Sequence, residues 1–136
     1  MLYVIVYTRI CLRRRLKYSG GEQINMTVQE LIEKKIFKVI NIGEDLDRII
    51  SEPFCCDLLS IAMSKAPANS AWATVMGNIN TLAVATLTEV ACIILAEGAV
   101  LDNIALEKAK SQKITVLSTE ESIFDAALIV YQLLHD

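Results

Sequence analysis

From residue 26 onward, apolar residues arrive in short blocks whose spacing switches repeatedly between helical and extended periods. "TVQELIEKK" (27–35) has the helical period and opens on Thr27 and Glu30, a capping-box pattern. "FKVINI" (37–42) reads as a strand with Val39 and Ile40 inside, "GEDLDR" (43–48) as a turn, and "IISEPFC" (49–55) as an extended segment. Pro53 confines that segment to an edge or a bulge, because proline donates no ladder hydrogen bond. Asp57 is placed to cap a helix over 58–66, ahead of a loop over 67–70. "AWATVM" (71–76) is the next strand and "GNIN" (77–80) a turn, with Asn80 placed to cap a helix over 81–90. "ACIILA" (91–96) is a wholly apolar strand, 97–102 a loop, "NIALEKAKSQ" (103–112) an amphipathic helix and "ITVLS" (114–118) the last strand. Ser118 and Glu121 repeat the capping-box spacing ahead of a final helix over 119–134.

Strands separated by helices of this length predict right-handed βαβ units. The expected fold is a three-layer α/β domain, its mainly parallel sheet flanked by helices. The final helix carries two apolar stripes. Ile123, Ala126, Ala127, Val130, Leu133 and Leu134 suit a sheet-facing side. Phe124, Leu128 and Tyr131 form the second stripe, which needs a further partner: either another helix of the same chain, 27–35 first, or a second copy in a homodimer.

Composition agrees with a covered parallel sheet. Hydrophobic residues make up 54% and aromatics only 6%, so the core is aliphatic. The chain has 136 residues, one domain by size, and no apolar run near the ~20 residues a spanning helix needs.

Charge divides the chain. Residues 1–25 hold five basic residues against Glu22, whereas 26–136 hold eight basic and fifteen acidic residues. An acidic body excludes nucleic acid as the expected partner, since phosphate contacts need a basic face. The apolar-then-basic order of 1–25 is the reverse of a signal peptide. That segment is read as an extension, disordered or translated from a ribosome-binding site, with the domain proper over 26–136. A lipid-surface anchor is the competing reading of 1–25, but membrane association is not the expectation for the domain.

Several chemistries are missing from the sequence. It contains no P-loop, no dinucleotide fingerprint and no nucleophile elbow. The single histidine, His135, is terminal, and Cys11, Cys55, Cys56 and Cys92 lack metal-ligand spacing. No catalytic residue, metal or cofactor is therefore expected, and the unpatterned cysteines read as reduced thiols in a cytoplasm. The polar residues predicted where strands end and helices begin remain: Asp57, Gly77, Asn78, Asn80, Glu97, Gly98, Ser118 and Thr119. Ligands of open α/β sheets bind at that rim, so these residues are candidates for a small anionic or nucleotide-like ligand. The competing reading assigns them to helix caps and turns. Asp47 and Arg48 join the candidates as an adjacent charge pair whose plainer reading is a solvated turn.

"LDRIISEPFCCDLLSIAM" (46–63) resembles the signature of the DRTGG domain family, in which an Asp-Arg pair precedes a short strand, two glycines and a helix. "WATVMGNINTLAVATL" (72–87), "CIILAEG" (92–98) and "ITVLSTEES" (114–122) resemble that family's later segments, and are also similar to the non-catalytic N-terminal domain of HPr kinase/phosphorylase. The likeness spans 26–134 and implies a regulatory or interaction module of a bacterial-type cytosolic system, here standing alone without a catalytic half. Glu52 and Pro53 stand where the family has its glycines. Proline fixes φ and glutamate adds negative charge, so an anion received by the glycine turn would bind poorly here. The expectation is a non-catalytic regulatory or protein-interaction module, with a small-ligand sensor as the alternative.

Overall fold

A computed structural model of the chain describes residues 24–135. The expectation for residues 1–25 therefore falls almost wholly outside the described residues. In chain order the elements are α1 (Val28–Glu33), β1 (Lys38–Asn41), β2 (Pro53–Cys55), α2 (Leu59–Lys65), β3 (Ala71–Thr74), α3 (Ile79–Thr88), β4 (Cys92–Leu95), α4 (Asn103–Gln112), β5 (Val116–Ser118) and α5 (Ile123–His135). The five strands form one sheet in the order β1-β5-β4-β3-β2. β2 through β5 run parallel, and β1 joins β5 antiparallel.

Every residue of β3 and β4 is buried, as the apolar runs AWAT and CIIL require of central parallel strands. On one face Trp72, Ile93, Leu95 and Val116 pack against Ala62 of α2, Leu82 and Ala85 of α3, and Ala105 and Ala109 of α4. On the other, Ala71, Ala73, Cys92, Ile94 and Leu117 pack against Val28 and Leu31 of α1 and Ala126, Val130 and Leu134 of α5. Alanines on the helices let the backbones approach the sheet closely. The expected three-layer α/β fold is the one observed.

The edges explain two details. Pro53 opens β2, an edge strand, where its missing N–H costs no ladder bond. β1 forms the other edge, and its pairing with β5 slips between Val39 and Asn41. Val39 is consequently 36% exposed rather than inside, and Ile40 only half-buried. The irregularity and exposed Lys38 blunt an edge that would otherwise recruit further strands.

Caps fall differently from the expected positions. Thr27 behaves as predicted, its hydroxyl accepting from the Glu30 N–H at 3.1 Å. Asn78, not Asn80, caps α3, accepting from Asn80 N–H at 3.0 Å and Thr81 N–H at 3.2 Å. Asn80 lies inside the helix, exposed. Ser118 stays in β5, paired with Lys38, so α5 starts one turn later, where the Ser122 hydroxyl accepts from Asp125 N–H at 3.1 Å.

α5 lays Ala126, Val130 and Leu134 on the sheet, as its first stripe predicts. Of the second stripe, Phe124 is 70% exposed. Leu128 and Tyr131 are half-buried, and the Tyr131 ring stacks on His135 with centroids 4.1 Å apart.

The Cys92 thiol is enclosed in β4, and burial pushes its pKa from an ordinary 9.0 up to about 12. Unfolding returns the thiol to its ordinary value. This contribution to stability is thus complete below about pH 9 and is lost as pH rises toward 12. The urea midpoint is expected to fall across that alkaline window, and to fall less steeply in Cys92→Ala. Equal slopes in the two proteins would refute the assignment.

Candidate functional site

The sheet has two ends, and the predicted site residues divide between them. Arg48 lies at the amino end. Its Nε donates to Asn69 Oδ1 at 2.6 Å and its Nη1 to the Val90 carbonyl at 3.0 Å. Those partners precede β3 and β4, so Arg48 fastens the 43–50 turn to the starts of two central strands. It is a structural tie rather than half of a solvated Asp47–Arg48 pair. Asp47 is exposed beside it, and both are at the opposite end of the sheet from the other candidates.

At the carboxyl end the loops are laced together. Asp57 does not cap α2, whose N-cap is Leu58 without a side-chain bond. Its Oδ1 instead accepts from the Thr74 hydroxyl at 2.8 Å and the Val75 N–H at 3.0 Å. The Trp72 indole donates to the Cys56 carbonyl at 3.0 Å, so the turn after β2 is clamped to β3 twice. Next, the Gly77 carbonyl accepts from Asp102 N–H at 3.1 Å, and Asp102 caps α4 by accepting from Ala105 N–H at 2.7 Å. Finally Glu97 N–H donates to the Glu121 carbonyl at 2.7 Å and Gly98 N–H to the Thr119 carbonyl at 3.0 Å. The Thr119 hydroxyl accepts from Glu121 N–H at 3.1 Å. Asp57, Asn78 and Thr119 thus satisfy backbone and neighbouring side chains within the rim.

One gap remains in this lacing. α2, α3 and α4 cover the same face of the sheet, whereas α5 covers the other. The chain therefore leaves β4 toward one face and β5 toward the opposite face. Such a reversal is the place where open α/β sheets form a crevice. A groove of about 520 Å³ lies there, between Gly98–Leu101 after β4, Ser118–Glu120 at the end of β5, and Ile36, Lys38 and Ile40 of the incoming β1 segment. Gly98 adopts φ +67°, and a Cβ there would lie 2.6 Å from Glu120 Oε2, so a side chain at this position would displace that carboxylate.

Glu97, Gly98, Ser118 and Thr119 are therefore brought together; Asp57 and Asn78 belong to neighbouring turns, Asn80 to the first turn of α3, and Asp47 and Arg48 to the far end. Lys38 and Glu120 escaped the sequence reading because only the antiparallel register of β1 on β5 brings them to the same groove. Asp102 did carry a signal, an acidic residue directly before an amphipathic helix.

The Cys55 thiol is poorly suited to act as a nucleophile. The exposed Cys55 thiol is held above its ordinary pKa by partial burial, then by the charges of Asp57 and Cys56. A nucleophilic cysteine needs the opposite shift. Among the described residues, no three His, Cys, Asp or Glu side chains cluster as a metal site. No described helix is long and apolar enough to cross a membrane.

No family model matches the chain, and no curated protein matches it. Among solved structures it is similar to the CBS and DRTGG domains of the regulatory region of Clostridium perfringens pyrophosphatase, complexed with activator, diadenosine tetraphosphate. The TM-score is 0.63 at 17% identity, over 80% of this chain and 47% of that one. The chain thus spans about half the length of that structure and has a DRTGG-like fold.

Proposed function

We propose that this chain is a non-catalytic regulatory module of DRTGG type, working in a bacterial-type cytosol by contact with other polypeptide chains. The link to the N-terminal domain of HPr kinase/phosphorylase belongs to the same reading, carried by the segments quoted from the sequence. The observation that supports it is the chemistry of the carboxyl rim. The Asp57, Asn78, Asp102 and Thr119 side chains are engaged within the fold, while Leu58, Ile79, Val100, Ile104 and Phe124 are exposed around it. Aliphatic and aromatic groups ringing one end of a sheet suit a protein surface better than a phosphate site. The similar regulatory region, solved with a nucleotide activator, favours a second reading, a nucleotide or anion sensor. Glu97, Glu120 and Glu121 beside the crevice weigh against it, because a polyphosphate would meet them with Lys38 as the one basic lining residue among the described residues.

The first partner on this reading is a second copy, meeting through the Phe124, Leu128 and Tyr131 flank of α5. Because Phe124 is exposed, Phe124→Lys leaves the fold intact and probes that contact. Sedimentation velocity is expected to show concentration-dependent association of the full chain, and a 15.1 kDa monomer for the variant with an unchanged melting temperature. A wild-type chain that sediments as a monomer throughout, or a variant that associates equally well, would refute the homodimer.

A further inference from the structure

We infer that the crevice between the β4 and β5 loops binds a small aliphatic zwitterion of the α-amino acid class, its ammonium on Glu120 and its carboxylate on Lys38. The site goes beyond the regulatory reading and rests on it only for its purpose, as the signal such a module would sense.

The groove stands where the sheet's connections reverse, the position at which α/β sheets take ligands. Its volume of about 520 Å³ accommodates a molecule of amino-acid size. Its walls are aliphatic on two sides, Ile36 and Ile40 from the β1 segment and Val100 and Leu101 from the loop ahead of α4. Two side chains of opposite charge line it, Lys38 and Glu120, and neither is in an ion pair among the described residues. The Glu120 carboxylate lies close against Gly98, another lining residue, where a Cβ would displace it. An anion alone would satisfy Lys38 and be repelled by Glu120; a cation alone would suffer the reverse. A ligand carrying both charges satisfies both, and a branched hydrocarbon side chain fills the space between the isoleucines and Val100.

The test is calorimetric titration of the full chain with L-leucine, L-isoleucine and L-valine. The comparison ligands are 4-methylpentanoate, which lacks the ammonium, 3-methylbutylamine, which lacks the carboxylate, and adenosine triphosphate. Saturable millimolar or tighter binding of at least one amino acid is expected, weakened about tenfold or more with either single-charge analogue. Lys38→Met and Glu120→Gln change exposed positions, so both proteins should melt as the wild type does, yet each should lose about tenfold or more in affinity. Absence of saturable binding by all three amino acids overturns the proposal, as does unchanged affinity in both variants. Adenosine triphosphate binding that tightens in Glu120→Gln also overturns it and returns the crevice to an anion site. None of these outcomes bears on the self-association read by Phe124→Lys, so the failure of this site and the failure of the regulatory reading remain distinguishable.

Discussion

Trp72→Ala is expected to lower the unfolding free energy by about 3–5 kcal/mol, the largest effect of any single truncation in this domain. The side chain is fully buried at the centre of the sheet, against α2, α3 and α4. Deleting it removes the largest buried apolar surface and leaves a cavity that the alanine-rich helices cannot collapse to fill. It also removes the indole N–H that holds the Cys56 carbonyl. Trp72→Phe separates the two effects. It retains most of the packing and loses the hydrogen bond, so the expected cost is about 1–2 kcal/mol. Urea denaturation of both variants measures the difference. A Trp72→Ala cost below about 1 kcal/mol would mean that the region repacks freely, contrary to the close packing of protein cores.

The second large effect is steric. A Cβ at Gly77 would lie 2.2 Å from the Val100 carbonyl oxygen, a backbone atom with no freedom to swing aside. The same glycine receives the Asp102 N–H, and Asp102 caps α4. Gly77→Ala must therefore push the loops after β3 and β4 apart, strain the Asp102 bond and disturb a helix cap together. A cost of about 2–3 kcal/mol follows from overpacking of this kind. Hydrogen exchange should show increased opening of the Asp102 and Ala105 amides in the variant. Unchanged stability and exchange would show that the loops do not depend on one another as the lacing implies.

Which features were legible in the sequence follows from the range of the interactions that decide them. The amphipathic pattern of 103–112 matches α4 residue for residue, because helix periodicity and the chain reversals beyond it are local. Pro53 announced an edge strand for an equally local reason, its missing N–H. Cap positions were less secure. Ser118-x-x-Glu121 and Ser122-x-x-Asp125 both fit a helix start, and the choice is made by β1, which pairs Ser118 into the sheet from eighty residues upstream. Arg48 shows the same limit. Its neighbours in sequence suggest a solvated turn, whereas its partners, Asn69 and Val90, lie far along the chain. The crevice was hidden most deeply, since it exists only because α5 leaves the sheet toward the opposite face from α2, α3 and α4. Periodicity states that a helix has an apolar side; it does not state which face of the sheet that side will cover.

Asp57 is a rim candidate whose observed bonds are those of the scaffold. A carboxylate between Thr74 and Val75 ties adjacent loops, and it would repel a phosphate placed among them. The central claim, that this domain regulates without holding a polyphosphate, is tested most directly by calorimetric titration of the full chain with diadenosine tetraphosphate at physiological ionic strength. The predicted result is no saturable heat at millimolar ligand and no rise in melting temperature. Saturable binding accompanied by a concentration-dependent rise in melting temperature, as linkage demands of a ligand held by the native state, would contradict the account.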